Sequence, residues 1–365
     1  MRSSPQWGGY GYYGFTQQNM VSWTKAARAV RAGIRNARVL IVGDSTARGV
    51  GSAGGTTNGP NLVAHGWIPQ MAPLLKQNAS WQSIWGEGNL GNSYPTYDTR
   101  VAFGSGWSTG VASTMGGNFF KGGTGTALSF TPLNQCDTFI IGFAISPGSS
   151  SFTVNVNGGS TLATQNCTGT NAQGYLTITT TLGSNTLNIV SASTTVYINS
   201  IYAYNSTVKE ISLFNTGWAS APIANEVNNT VGYTYNPLPG ISNSNPDLVI
   251  IPQGINDWNL GTAFSAYNSS IQTAINQAKL NGASVILASD NASNTTYAVM
   301  APYIADMKQL AAQNNIPYID IWNLFGGGSY AVNNTAGLMT DAYHPNATGY
   351  GIIAPLYARA LNAFM

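Results

Sequence analysis

Apolar and polar positions along the chain fall into two regimes, one interrupting the other. In the first, short apolar runs show no alternation and each ends in a turn: "RVLIVGDS" (38–45), "EISLFNTG" (210–217), "DLVIIPQG" (247–254), "ASVILASD" (283–290) and "IPYIDIW" (316–322). Such runs are expected of strands buried on both faces of a parallel sheet. Between them lie segments with apolar residues at helical spacing, at 17–37, 66–77, 263–283, 297–315 and 349–365. Alternating strands and helices predict an α/β fold built on a parallel sheet.

The second regime occupies the stretch from about Ser80 to Ser206. In "SFTVNVNGG", "GYLTITTTLGSNTLNIVSAS" and "TTVYINSIYAYNS", β-branched and polar residues alternate between Gly, Asn and Ser turn signals. This period of two predicts an antiparallel β-sandwich. It is inserted between the first and second strands of one α/β domain. The predicted divisions are an N-terminal linker and helix (1–37), the first part of the α/β domain (38–78), the inserted sandwich (79–206) and the second part (207–365).

Composition narrows the function. Charged residues are only 7% of the 365-residue chain, against roughly 25% in an average soluble domain. Gly, Asn, Ser and Thr supply the polarity, which suits an extracellular or virion protein that handles neutral polar ligands such as sugars. A net charge of +2 without any Lys/Arg run speaks against nucleic acid and membrane surfaces as partners. No apolar run approaches the roughly 20 residues needed to span a bilayer. The Gly/Tyr/Trp-rich first fifteen residues lack the apolar core of a signal peptide. Cys136 and Cys167 are compatible with a disulfide and equally with two buried free thiols, and their setting offers no zinc or redox motif. No metal or cofactor is expected, and the oligomeric state is left open.

Ligands of an open α/β sheet bind beyond the carboxyl ends of its strands, so the residues just after each apolar run are the candidates. They are Gly43-Asp44-Ser45, Asn215 to Ser220, Gly254-Ile255-Asn256-Asp257 and, before the last helix, Asp341-Ala342-Tyr343-His344. His344 is one of only 2 histidines. Serine needs a base to become a nucleophile. His344 can be that base, and Asp341, one turn away, can orient its ring and stabilise the imidazolium. The Asn256 amide, with the backbone N–H groups of Ser45 and of a residue near 220, can supply donors for an oxyanion.

With these residues in view, the chain resembles the SGNH (GDSL-type) hydrolases, whose four blocks correspond here to "GDS", "NTGWAS", "GIND" and "DAYH". The resemblance covers roughly 38–78 and 207–365. It implies a three-layer αβα, flavodoxin-like fold, with Ser45 as nucleophile, His344 as base and Asp341 as its orienter. It also implies an oxyanion hole of Ser45, Ser220 and Asn256. The family has glycine where Ser220 stands, so the extra side chain is expected to favour small acyl groups. Gly217 is the weaker alternative for that position. Trp218 and Trp258 lie inside the motif loops and are candidates to line the cleft. Core packing is the default for Trp107, a structural turn role for Asp257, and a surface or packing role for His65.

The expected activity is that of a serine esterase removing small acyl groups, O-acetyl foremost, from a polysaccharide. The inserted sandwich is the candidate carbohydrate-binding part. Two readings compete: a broad-specificity esterase or lipase, and a glycan-binding or virion attachment module. "GEGNLG" (86–91) fits G-x-G-x-x-G, but no helix comes after it, so dinucleotide binding is rejected. Neither G-x-S-x-G nor H-E-x-x-H occurs.

Overall fold

A computed structural model describes residues 10–85, 93–112, 117–227 and 241–365; the segment 86–91 thus lies outside the described residues. The chain divides into two compact units. One comprises residues up to 81, 209–228 and 244 onwards, and the other 82–208 with a short segment ending at 243.

The first unit is built on a seven-stranded sheet. Across it the strands run Tyr12–Tyr13, Tyr318–Ile319, Ser284–Ser289, Leu248–Gln253, Ala37–Ile41, Ile211–Asn215 and Ala79–Ser80. All neighbours pair in parallel except Tyr12–Tyr13, which is antiparallel to Tyr318–Ile319. Every residue of Leu248–Gln253 and Ser284–Ser289 is buried, as unbroken apolar runs require. Val39, Ile41, Ile250 and Ile286 face one layer, where Trp23, Trp67, Ile353 and Tyr357 of three helices pack on them. The intervening Leu40, Val249, Ile251, Val285 and Leu287 are equally buried. Helices Phe264–Leu280 and Tyr297–Gln313 pack against the Ser284–Ser289 strand. The unit is therefore the expected three-layer α/β fold.

The N-terminal segment differs from the linker expected of it. Tyr12 and Tyr13 pair with Ile319 and Tyr318 as an edge strand. The Tyr12 hydroxyl donates to the Leu356 carbonyl at 3.0 Å, and Phe15 stacks on Phe364. The helix Val21–Arg31 buries Trp23, Ala26, Ala27 and Val30. Enough apolar surface is buried here to make residues 10–31 part of the α/β unit.

The second unit is an antiparallel sandwich. One sheet orders its strands Ala163–Asn166, Ser151–Val156, Leu187–Ser191, Ala127–Phe130 and Val101–Phe103. The other orders them Ala172–Gly183, Cys136–Ile145, Tyr197–Tyr204, Asn118–Lys121 and Ser108–Ala112, with Ser83–Trp85 added against Tyr197–Tyr204. Alternate residues of Ser151–Val156 point inward, and Phe152 and Val154 join Phe130, Phe139, Phe143, Ile189 and Ile198 in one core. Trp107 belongs to this core, with its indole N–H donated to the Thr126 carbonyl at 3.0 Å.

Cys136 and Cys167 are buried free thiols in the sandwich core. Burial raises both thiols to about 11, and nucleophilic thiolate is scarce at such values. Ellman's reagent is therefore expected to leave the folded protein unlabelled over minutes and to titrate two thiols after denaturation. Rapid labelling of the native protein, or no thiols after denaturation without reductant, would contradict this.

Candidate active site

The strand Ala37–Ile41 delivers Asp44 and Ser45 to the carboxyl edge of the sheet. Asp44 caps the short helix Ser45–Arg48, its carboxylate accepting from the Thr46 N–H at 2.8 Å and the Thr46 hydroxyl at 2.9 Å. Gly49, at φ +93°, ends the helix in a left-handed conformation that favours glycine. Ser45 thus sits at a helix start, where backbone N–H groups lack intrahelical acceptors.

The last motif closes on this serine. His344 Nε2 lies 2.9 Å from Ser45 Oγ, across 299 positions of sequence. Its Nδ1 is 2.9 Å from both carboxylate oxygens of Asp341. If the serine hydroxyl donates to Nε2, the ring proton resides on Nδ1, facing the carboxylate. Asp341 Oδ1 also accepts the backbone N–H groups of Tyr343 and His344, each at 2.8 Å. Oδ2 accepts the Thr57 hydroxyl at 2.6 Å. Partial burial opposes ionisation of Asp341, but the bonds from His344, Thr57 and Tyr343 and the charge of the imidazole outweigh it. Together they hold the carboxyl well below the usual carboxylate range.

The second and third motifs meet beside the same turn. Loop 215–221 lies across the serine helix: Asn215 Nδ2 donates to the Ala47 carbonyl at 3.0 Å, and Trp218 N–H to the Gly43 carbonyl at 2.8 Å. Asn256 Nδ2 donates to Asp44 Oδ2 and to the Ala221 carbonyl, both at 3.1 Å. Its amide therefore bridges the segments that carry Ser45 and Ser220. Among the described residues, neither the Ser45 nor the Ser220 N–H has an intramolecular acceptor. Ser220 is exposed and holds φ +63°. This is the left-handed region in which glycine is comfortable and serine is not.

The remaining candidates separate. Gly217 is buried against the serine helix, and its N–H is donated to Asn215 Oδ1. Trp218 is half-buried. Trp258 is only 2% exposed, with its indole N–H on Ser293 Oγ at 3.2 Å. It packs under Gly254 and lines no open cleft. Two positions separate it from Asn256, and in a helix that spacing turns a side chain to the opposite side. Asp257 is buried and accepts the Ile223 N–H at 3.0 Å, a structural role. His65 is exposed.

Two contributors were not expected from the sequence. Asp290, directly after the Ser284–Ser289 strand, accepts the Ile255 N–H at 2.9 Å and lies 3.2 Å from the Thr46 hydroxyl. Its place after a strand was a signal that could have been read. Thr57 lies in the "GGTTNGP" loop, which carries no such signal. Burial raises Asp44 and Asp290 above the usual carboxylate range.

The fold is shared with a solved structure of distant sequence. That structure, described as "Peptidoglycan O-acetylesterase in action, 5 min", superposes with a TM-score of 0.71 at 16% identity, over 94% of this chain and 95% of that one. A family two carbohydrate esterase from Cellvibrio japonicus matches at 12% identity over 78% of this chain and 98% of its own, but with a TM-score of 0.31. That is too distant a superposition to carry an argument. Residues 213–352 match the family of GDSL-like lipases and acylhydrolases. This span holds Ser220, Asn256, Asp341 and His344, while Ser45 lies before it. No curated protein sequence matches significantly. Three of the four motifs thus fall within the matched span, and the likeness to the solved structure is one of fold.

The packing of Gly217 is open to a direct test. A Cβ there would stand 2.6 Å from Arg48 N and 2.8 Å from the Asp44 carbonyl oxygen. Both are backbone atoms that cannot swing aside. Gly217→Ala is expected to destabilise the protein by about 1–3 kcal/mol, the usual cost of overpacking. Urea denaturation checks this, and an unchanged midpoint would show that the loop moves freely away from the serine helix.

Proposed function

We propose that the protein is a serine esterase that removes small acyl groups, acetyl foremost, from a polysaccharide through an acyl-enzyme. The observation that carries this reading is the continuous line Ser45 Oγ, His344 Nε2, His344 Nδ1, Asp341, with 2.9 Å at each junction. In it Ser45 Oγ attacks the ester carbonyl as its proton passes to His344 Nε2. Asp341 stabilises the imidazolium and keeps the ring in register. The imidazolium then protonates the departing sugar oxygen. Water attacks the acyl-enzyme as its proton passes to His344 Nε2, and the imidazolium returns that proton to Ser45 Oγ as the ester bond breaks and acetate leaves.

The oxyanion of each tetrahedral intermediate is assigned to the Ser45 and Ser220 N–H groups and the Asn256 amide. Asn256 already spends its two N–H groups on Asp44 and Ala221, so it must share one of them. A full oxyanion charge is a stronger acceptor than a neutral carbonyl. The exchange is therefore favoured as charge develops, which is when stabilisation raises kcat.

The polysaccharide part of the reading is supported by the uncharged polar composition and by the fold shared with a protein described as a peptidoglycan O-acetylesterase. Such a substrate would place the protein's work outside the cell or on a virion. The test is acetate release from a panel of O-acetylated glycans, peptidoglycan among them, with Ser45→Ala alongside. Loss of a serine nucleophile costs on the order of 10⁶ in kcat in a serine protease, so Ser45→Ala is expected to be inactive while folded. Hydrolysis of simple aryl esters with no acetate from any glycan would favour a broad esterase. Absence of any turnover would favour a binding module.

Acyl size is set at Ser220. Its side chain adds bulk where its N–H must approach the acyl group. Acetyl esters are expected to surpass butyryl esters in kcat/KM, and Ser220→Gly should shrink that preference by roughly tenfold or more, since a methylene in a pocket is worth about 1–3 kcal/mol. The same substitution removes a strained backbone position of order 1 kcal/mol and should not lower stability. An unchanged chain-length profile would place the side chain away from the acyl group.

A further inference from the structure

We infer that Thr57 is a positioning residue, setting the orientation of the Asp341 carboxylate and, through it, of the His344 ring. The inference rests on the reading of Ser45 and His344 as nucleophile and base. Asp341 Oδ1 is held within its own turn by the N–H groups of Tyr343 and His344. Oδ2 shares the His344 Nδ1–H and otherwise has one partner among the described residues, the Thr57 hydroxyl at 2.6 Å. That partner comes from a segment 284 positions away. The terminal torsion of an aspartate is broad and soft. A second anchor on the far oxygen is what fixes the plane into which the imidazole N–H points.

The loop that carries Thr57 is itself fastened to the same turn. The Thr57 carbonyl accepts the Gly51 N–H at 2.7 Å. The Gly51 carbonyl accepts the Thr340 hydroxyl at 2.6 Å, and Thr340 N–H donates to the His344 carbonyl at 2.9 Å. Gly51, at φ +87°, passes so near the histidine that a Cβ there would stand 2.7 Å from His344 Cβ. Thr57, Gly51, Thr340 and Asp341 thus close a ring of hydrogen bonds around the base. The serine helix ends at Gly49, two residues before this ring, so one loop sets the nucleophile's helix and the orienter's plane together.

The test is steady-state hydrolysis of p-nitrophenyl acetate by the full chain and its Thr57→Val, Thr57→Ala, Thr57→Ser and Ser45→Ala variants, with NMR of the imidazole protons. Thr57→Val and Thr57→Ala are expected to lower kcat by roughly ten- to a hundredfold, the scale of a small misplacement of a catalytic group, with KM unchanged. Thr57→Ser, which keeps the hydroxyl, is expected to recover most of the loss. The chain has only 2 histidines, and His65 is exposed, so the hydrogen-bonded Nδ1–H resonance is assignable to His344. It should shift and exchange faster with water in Thr57→Val. Wild-type kcat with an unmoved resonance in Thr57→Val and Thr57→Ala would overturn the inference, as would a Thr57→Ser variant as slow as Thr57→Val. Full turnover by Ser45→Ala would instead remove the assignment of the site on which it rests.

Discussion

The site depends on how two buried acids are accommodated beyond the ends of two strands that flank the central strand Leu248–Gln253. Asp44 is wholly buried and Asp290 nearly so, and ionised carboxylates are costly to bury unless donors surround them. Donors do: the Thr46 and Ile255 N–H groups, the Asn256 amide and the Thr46 hydroxyl. That hydroxyl reaches both acids, at 2.9 and 3.2 Å, with one proton. The contacts are satisfied together when one acid is protonated and donates to it, in line with the upward shift that burial gives both. Three strand ends, after Ile41, Gln253 and Ser289, are tied at this point. The serine turn and the Asn256 amide inherit their positions from it.

Much of this was legible in the sequence because two physical rules coincide. Runs buried on both faces announce the strands, and open sheets place chemistry beyond the carboxyl ends. Looking just past the runs brings Ser45 and Asn256 into view, and Asp341 and His344 stand before the last helix; the structure sets the serine, histidine and aspartate in hydrogen-bonded line. Asp290 obeys the same rule, yet an aspartate after a strand reads as an ordinary turn residue. Only the approach of Thr46 and Ile255 shows otherwise.

The misreadings have equally local causes. Thr57 lies in a Gly- and Asn-rich loop whose composition describes flexibility, and its partner is distant in sequence. Trp258 looked like cleft because it neighbours Asn256, whereas helical geometry sends neighbouring positions in different directions. Residues 10–15 read as a linker because a two-residue edge strand is too short to show a period, whereas the helix Val21–Arg31 lies within the helical spacing read at 17–37. The sandwich was plain, since alternation in Ser151–Val156 maps directly onto its buried face.

The way the chain enters and leaves the sandwich bears on the order of folding. Within the sandwich, Ser83 pairs with Tyr202, and Ala203 N–H bonds the Gln82 carbonyl at 3.1 Å. Within the α/β unit, Ala79 pairs with Ile211, and Ser80 Oγ meets Glu210. Closing a flexible loop the length of 82–208 costs on the order of 4 kcal/mol in chain entropy. A sandwich that has already folded holds its own ends as neighbours, so most of that cost is met before the edge of the other sheet forms. For the α/β unit, a contact distant in sequence then becomes nearly local, and local contacts form fast. Such an insertion behaves kinetically as a short turn, and any domain whose termini are paired in this way could occupy its place without slowing its host.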